Sequence, residues 1–165
     1  MNEPVFTNVL QVAVVVHDLE KTMRTYWDEY GIGPWEIYEF NPDTVQDMTR
    51  DGRPAAYAAR LGLTMIGDVS LELIQPLDGD SIYADFLREH GEGLHHVGLQ
   101  VPDYAKALAA LESAGRRNLT GGLYNGVKYA YLSTERDLGF ISEIFDWPPG
   151  LVQEPDAVYP PSAGG

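Results

Sequence analysis

Apolar residues fall along the chain in runs of strand length, broken by stretches of helical spacing and by clusters of turn formers. Val9 to Val16 (VLQVAVVV) is a β-branched run that ends at His17-Asp18, and it predicts a buried strand. Leu19, Met23, Tyr26, Trp27 and Tyr30 then recur at spacings of three and four, which predicts an amphipathic helix over Leu19–Tyr30. Asp18 is placed to cap that helix and Gly31 to close it, with its aromatic residues read as core. A second strand is expected over Pro34–Phe40. Residues 41–54 (NPDTVQDMTRDGRP) hold charges and turn formers, which predicts a loop or lid. Ala55–Ile66 and Val69–Leu77 read as strands paired across Gly67-Asp68, a dipeptide suited to a tight hairpin. In the second of them Glu72 alternates with Leu71 and Leu73, so it faces away from the leucines.

The pattern then begins again. Ser81–His90 predicts a short capped helix; Leu94–Val101 a strand ending at Pro102-Asp103; Tyr104–Ala114 a helix stopped by Gly115. Later strands are expected near Asn118–Gly122, over Val127–Ser133 and over Phe140–Trp147. Gln11 precedes Asp18 by seven residues, as His96 precedes Asp103, and each half later carries a glutamate in an apolar strand shortly before a proline: Glu72 in LELIQP and Glu143 in SEIFDWP. This internal repeat predicts an α+β protein of two βαβββ modules forming a curved mixed sheet around a metal-binding cleft. The modules are expected over residues 6–80 and 81–148, the second preceded by a short linking helix. A Pro/Gly/Ala-rich tail over 149–165 is expected to wrap the surface or stay mobile.

Composition narrows the chemistry. With no cysteine among its 165 residues, the chain has no disulfide, thiolate zinc site or cysteine nucleophile, which fits a cytoplasmic protein. A formal net charge of −14 repels phosphate backbones and anionic lipid, so neither nucleic acid nor a membrane is an expected partner. No apolar run reaches the roughly 20 residues of a membrane span.

Any bound metal must therefore be held by imidazole, carboxylate or amide oxygen. A pseudo-twofold relation between the modules brings Gln11, Glu72, His96 and Glu143 from four strands onto one concave surface. That donor set suits zinc, nickel, cobalt, manganese or iron(II) and does not choose among them. His95 and His96 are neighbours on a strand, so one of them is expected to face the site, and the register with Gln11 selects His96. The competing reading for the two glutamates is burial beside an arginine, and for Gln11 a hydrogen bond to a neighbouring strand.

The segments QVAVVVHDLEKT, LELIQP, GEGLHHVGLQVPDYAKAL and GFISEIFDWP, in that order, resemble the vicinal oxygen chelate (glyoxalase/bleomycin resistance/extradiol dioxygenase) superfamily over about Val9 to Pro148. GEGLHHVGLQVPDYAKAL is most similar to methylmalonyl-CoA epimerase, and the set Gln, Glu, His, Glu to glyoxalase I. The resemblance implies a metal-dependent isomerase, epimerase or lyase that abstracts a proton next to a carbonyl through a metal-stabilised enediolate. It places the metal on Gln11, Glu72, His96 and Glu143, with Glu143 as the catalytic base, and implies a homodimer. The epimerases' second glutamate has no counterpart in MTRDGRPAAYAARLGL, where Asp47, Asp51 or Tyr57 would have to substitute.

A carbonyl substrate follows from this chemistry, either an acyl thioester or an aromatic compound. The thioester's phosphate charges meet few clustered cations, while Trp35, Tyr38, Phe40, Tyr57, Tyr124, Tyr129 and Tyr131 are expected on or near the inner strands. Two alternatives share the fold: an extradiol-type dioxygenase, disfavoured by the single histidine among the ligand positions, and a non-catalytic protein that sequesters an aromatic small molecule.

Overall fold

In the computed structural model, which describes residues 5–161, β1 (Asn8–Val15) lies near the middle of one curved, open sheet of eleven strands. Its neighbours come from opposite halves of the chain. β6 (Val69–Gly79) runs parallel to it on one side and β7 (Gly93–Gln100) antiparallel on the other. Beyond β6 lie β5 (Tyr57–Ile66) and β2 (Trp35–Phe40); beyond β7 lie β10 (Ile141–Asp146), β9 (Val127–Leu132) and β8 (Asn118–Tyr124). The β5–β6 hairpin turns at Gly67-Asp68 with Ile66 opposite Val69.

α1 (Leu19–Tyr30) covers the convex face of β5 and β6. Asp18 accepts the Lys21 N–H at 3.0 Å, and Gly31 ends the helix in the left-handed conformation. Leu19 and Met23 are fully buried, each contributing about 1.5–3 kcal/mol by leaving water. The helix sits this close because Gly62 has no side chain: a Cβ there would lie 3.0 Å from Met23 Sδ and 3.1 Å from Leu19 Cδ1. The helix aromatics are less buried than their spacing suggests. Tyr26 packs edge-on against Trp35, whereas Trp27 and Tyr30 are exposed because the buried stripe is centred on Leu19 and Met23. In the second half α3 (Tyr104–Ser113) buries Ala107 and Leu111 in a cluster with Ala130, Leu132 and Ile144.

The concave face is filled chiefly by side chains. Tyr38, Phe40, Tyr57, Tyr124, Tyr129 and Tyr131 share one cluster there, joined by Tyr83 of α2 (Ile82–His90). Trp35 belongs to a different cluster, beneath α1, because the alternation of β2 sends Trp35 and Ile37 to the convex side.

Two segments depart from the sequence reading. Residues 41–54 are not a free loop: they contain β3 (Val45–Arg50) and β4 (Arg53–Pro54), and β3 crosses to pair with β8 of the other half. Val45 and Met48 drive this by burying themselves in the concave cluster. The segment after β10 wraps the surface and adds β11 (Ala157–Tyr159) to the edge of β2. It is tied down by the Asp156 N–H on the Ile37 carbonyl at 2.9 Å, and by the Glu39 N–H on Asp156 Oδ2 at 2.7 Å. Residues 162–165 of the expected tail lie outside the described residues. Among the described residues no helix is long and apolar enough to cross a membrane.

Candidate metal centre

β1, β6, β7 and β10 are neighbouring strands, and each presents one polar side chain at the same level of the concave face. Gln11, Glu72, His96 and Glu143 are 8%, 5%, 1% and 4% exposed, so four polar groups meet almost entirely out of water. Glu72, His96 and Glu143 each offer a ligand atom within 4.8 Å of the others. His96 Nε2 lies 3.0 Å from Glu143 Oε2 and 3.4 Å from Glu72 Oε2. Gln11 Nε2 donates to Glu72 Oε2 at 2.8 Å, which leaves the amide oxygen of Gln11 free to ligate.

The short approaches to His96 Nε2 are not hydrogen bonds. His96 Nε2 and Glu143 Oε2 are buried and without a hydrogen-bond partner, the approach between them being too oblique. Two carboxylates converging on one imidazole nitrogen in a dry site would be costly if left unneutralised. Neither glutamate pairs with an arginine: the half-buried Arg50 is engaged with Asp80 and Asp85 and Arg60 with Glu20 and Glu39, so burial beside an arginine does not explain either glutamate. Separations of 3.0 and 3.4 Å match those that adjacent ligands leave when each binds an ion at about 2.0–2.2 Å. The donor set and its orphaned atoms therefore fit a divalent cation.

The electrostatics agree. Burial pushes the Glu143 carboxyl up, opposed by His96 and reinforced by the charge of Glu72. Burial disfavours a charge on His96, but Glu143 and then Glu72 more than offset it and raise its pKa to about 9. A cation between the carboxylates would satisfy both with no proton on the imidazole.

His95 is where strand logic fails. Ala13 pairs with His96 but Val14 pairs with Leu94, so His95 is the extra residue of a β-bulge. The bulge turns its ring to the same side as His96, and the two Nδ1 atoms meet at 2.9 Å. One Nδ1 must carry the hydrogen; a His96 that ligates through Nε2 donates from Nδ1, making His95 the acceptor that fixes the ring. His95 thus orients His96 and does not reach the carboxylates with that nitrogen. Tyr131, one of the aromatics expected on the inner strands, adjoins the centre. Its ring stands edge-on to His96 at 4.7 Å between centroids, and its hydroxyl accepts from Tyr83 at 2.8 Å. Its signal was the Tyr129/Tyr131 alternation on β9, which puts both on the concave face.

The substitutes considered for a second glutamate are not at the centre. Asp47 and Asp51 are exposed, Asp51 pairing with Arg117 at 3.2 Å, and the Tyr57 hydroxyl is 2.9 Å from Thr120 Oγ1. Nor do most of the expected aromatics wall a substrate slot, since they pack on one another. An open cleft of about 1490 Å³ instead approaches the centre from the Gln11 side, with Tyr38, Phe145 and Trp147 among its walls.

The family model for the glyoxalase/bleomycin resistance protein/dioxygenase superfamily matches residues 10–131. The chain is 35% identical over 83 residues to the uncharacterized protein YqjC of Bacillus subtilis, covering 47% of this chain and 58% of that one. It is 28% identical over 110 residues to the mitochondrial methylmalonyl-CoA epimerase of Mus musculus, covering 66% and 54%. The chain thus spans little more than half the length of these curated relatives. Methylmalonyl-CoA epimerase from Mycobacterium tuberculosis shares the fold, with a TM-score of 0.66 at 21% identity over 90% of this chain and 93% of that one.

Proposed function

Because the chain belongs to the glyoxalase/bleomycin resistance protein/dioxygenase superfamily, we propose that it is a divalent-metal-dependent epimerase, isomerase or lyase that moves a proton at a carbon beside a carbonyl. The observation that carries this reading is the meeting of one imidazole, two carboxylates and one carboxamide in a dry site, with His96 Nε2 and Glu143 Oε2 left without hydrogen-bond partners. The relatives named as epimerases support the reaction class.

Gln11, Glu72, His96 and Glu143 would hold the ion, which when bound would act as a Lewis acid toward a carbonyl oxygen. The chain's own residues supply the rest. Glu143 is the base: burial raises its affinity for a proton, which brings a carboxylate nearer the operating pH. Glu72 is held by the Gln11 amide and is less able to turn toward a substrate. His95 fixes the His96 ring, and the aromatic cluster keeps bulk water from the far side of the site.

Elemental analysis after dialysis against a weak chelator tests this on wild type, His96→Ala and Glu143→Ala. Close to one equivalent of a divalent transition metal in the wild type, lost from both variants, is expected. The metal-loaded protein should then catalyse solvent deuterium exchange into a carbonyl compound. A wild-type protein that holds none of zinc, nickel, cobalt, manganese or iron(II) after reconstitution would sink the reading.

A further inference from the structure

Large apolar side chains in contact with water are scattered on most surfaces. Here Met65, Trp147, Val152 and Val158, which are 60%, 50%, 79% and 40% exposed, all line the cleft that ends at Gln11. Three of the four come from the segment after β10. That segment is held across the opening by Trp147 Nε1 on the Leu151 carbonyl at 3.0 Å, Gln153 Nε2 on the Tyr124 carbonyl at 3.4 Å, and the β11–β2 pairing. One wall of the cleft is therefore apolar, ring-bearing and braced against both halves of the sheet. The cleft is also larger than the roughly 300–1,000 Å³ of an ordinary ligand pocket.

The rim has one sign of charge. Glu36, Asp68, Asp103, Glu112 and Asp146 line it against the single cation Lys128, itself 4.0 Å from Asp146. Two like unit charges about 8 Å apart in water cost about twofold in affinity, and several such pairs compound. A coenzyme A moiety carries several phosphate charges and would meet this rim with no unpaired cation lining the cleft.

Taking the proton-transfer reading of the metal centre as its base, we infer that the cleft accepts a carbonyl compound with an apolar, ring-containing body that is uncharged or cationic, and rejects acyl-coenzyme A thioesters. The apolar body lies against Trp147, Val152 and Met65, and the carbonyl end meets the centre at Gln11, the only one of the four candidate ligands that lines the cleft. A cationic substituent would be held at the Glu36 and Asp68 side of the rim.

Binding to the full chain is measured by quenching of tryptophan fluorescence and by calorimetry, with three probes: benzoin, the permanently cationic ketone (4-acetylphenyl)trimethylammonium and methylmalonyl-CoA. Benzoin and the cationic ketone are expected to bind at least about a hundredfold tighter than methylmalonyl-CoA at low salt, the gap narrowing as salt rises. Trp147→Ala should weaken both aromatic probes about tenfold without changing the melting temperature, as loss of an aromatic anchor does. Glu36→Gln with Asp68→Asn should weaken only the cationic probe. Methylmalonyl-CoA binding as tightly as benzoin, or no binding of either aromatic probe, overturns the inference. Deuterium exchange separates it from the reaction on which it rests. Exchange into methylmalonyl-CoA would refute the ligand class and leave the reaction standing; tight binding of the aromatic ketones without exchange would do the reverse.

Discussion

Gly98 sits on β7 opposite Gln11, and a methyl group added there would press on the candidate centre from the side. The new Cβ of Gly98→Ala would lie 2.8 Å from Gln11 Cβ and 2.9 Å from Phe145 Cε2. Carbon atoms in ordinary contact are about 3.5 Å apart, so both must give way, by about 0.7 Å and about 0.6 Å. Phe145 can swing its ring, but Gln11 Cβ is fixed to β1, which is hydrogen-bonded to β6 on one side and β7 on the other. Overpacking of this kind costs about 1–3 kcal/mol. In a chain of this length that lowers the melting temperature by roughly 2–4 °C per kcal/mol. Displacing Gln11 by about 0.7 Å would also strain the 2.8 Å bond from Gln11 Nε2 to Glu72, loosening the set of candidate ligands. The control is Gly93→Ala on the same strand, where the nearest atom is Phe86 Cζ at 4.0 Å and stability should change by less than about 0.5 kcal/mol. Thermal melts and metal titration of both variants give the answer. If Gly98→Ala melts with Gly93→Ala and binds metal like the wild type, the register between β1 and β7 described above is wrong.

Other consequences follow from particular contacts. Thr120 Oγ1 donates to the Thr49 carbonyl at 2.6 Å, so it accepts from the Tyr57 hydroxyl at 2.9 Å, and Tyr57→Phe, which removes that one hydrogen bond, should cost about 0.5–1.5 kcal/mol in urea unfolding. Arg50, through a hydrogen bond and its charge, holds the Asp85 carboxyl below the usual aspartate range. Because the folded form binds that proton less readily than the unfolded chain, the pair's stabilisation is present above about pH 4 and fades below it. Asp85→Asn should therefore lower the melting temperature at pH 7, and by progressively less as the pH falls below about 4. Asp156→Ala removes the acceptor for the Glu39 N–H, and limited proteolysis should cut more readily between residues 148 and 156 while the rest of the chain stays protected.

What could be read without coordinates was whatever depends on short-range periodicity. The helix over Leu19–Tyr30, the hairpin at Gly67-Asp68 and the placing of four polar residues in four apolar strands need no knowledge of a partner strand, and the structure brings those four together. The misses all involve a partner far away in sequence. β3 is hidden because Asp47 and Asp51 take positive φ and VQDMTR resembles a loop until β8, some seventy residues on, is laid beside it. His95 was assigned to the wrong face because alternation assumes an unbroken ladder, and the bulge is defined only by which residues of β1 lie opposite. Trp35 was grouped with the inner aromatics because the pattern of β2 gives an alternation but not which of its faces is concave. Of the cleft wall, Val152 and Val158 were legible only as part of a proline-rich tail, and Trp147 only as the end of a strand.

The crossing of β3 onto β8 also bears on how the chain is made. While synthesis proceeds, the free edge of β1 waits for β7 and the strand at 45–50 waits for residues 118–124, so the first half exists for a time as a sheet with unpaired hydrogen-bonding edges. At roughly 5–20 residues per second, that interval lasts several seconds. An exposed edge of this kind invites pairing with a neighbouring nascent chain. The exposed charges of Asp47, Asp51 and Arg53 lie along that waiting segment and are well placed to discourage the wrong partner.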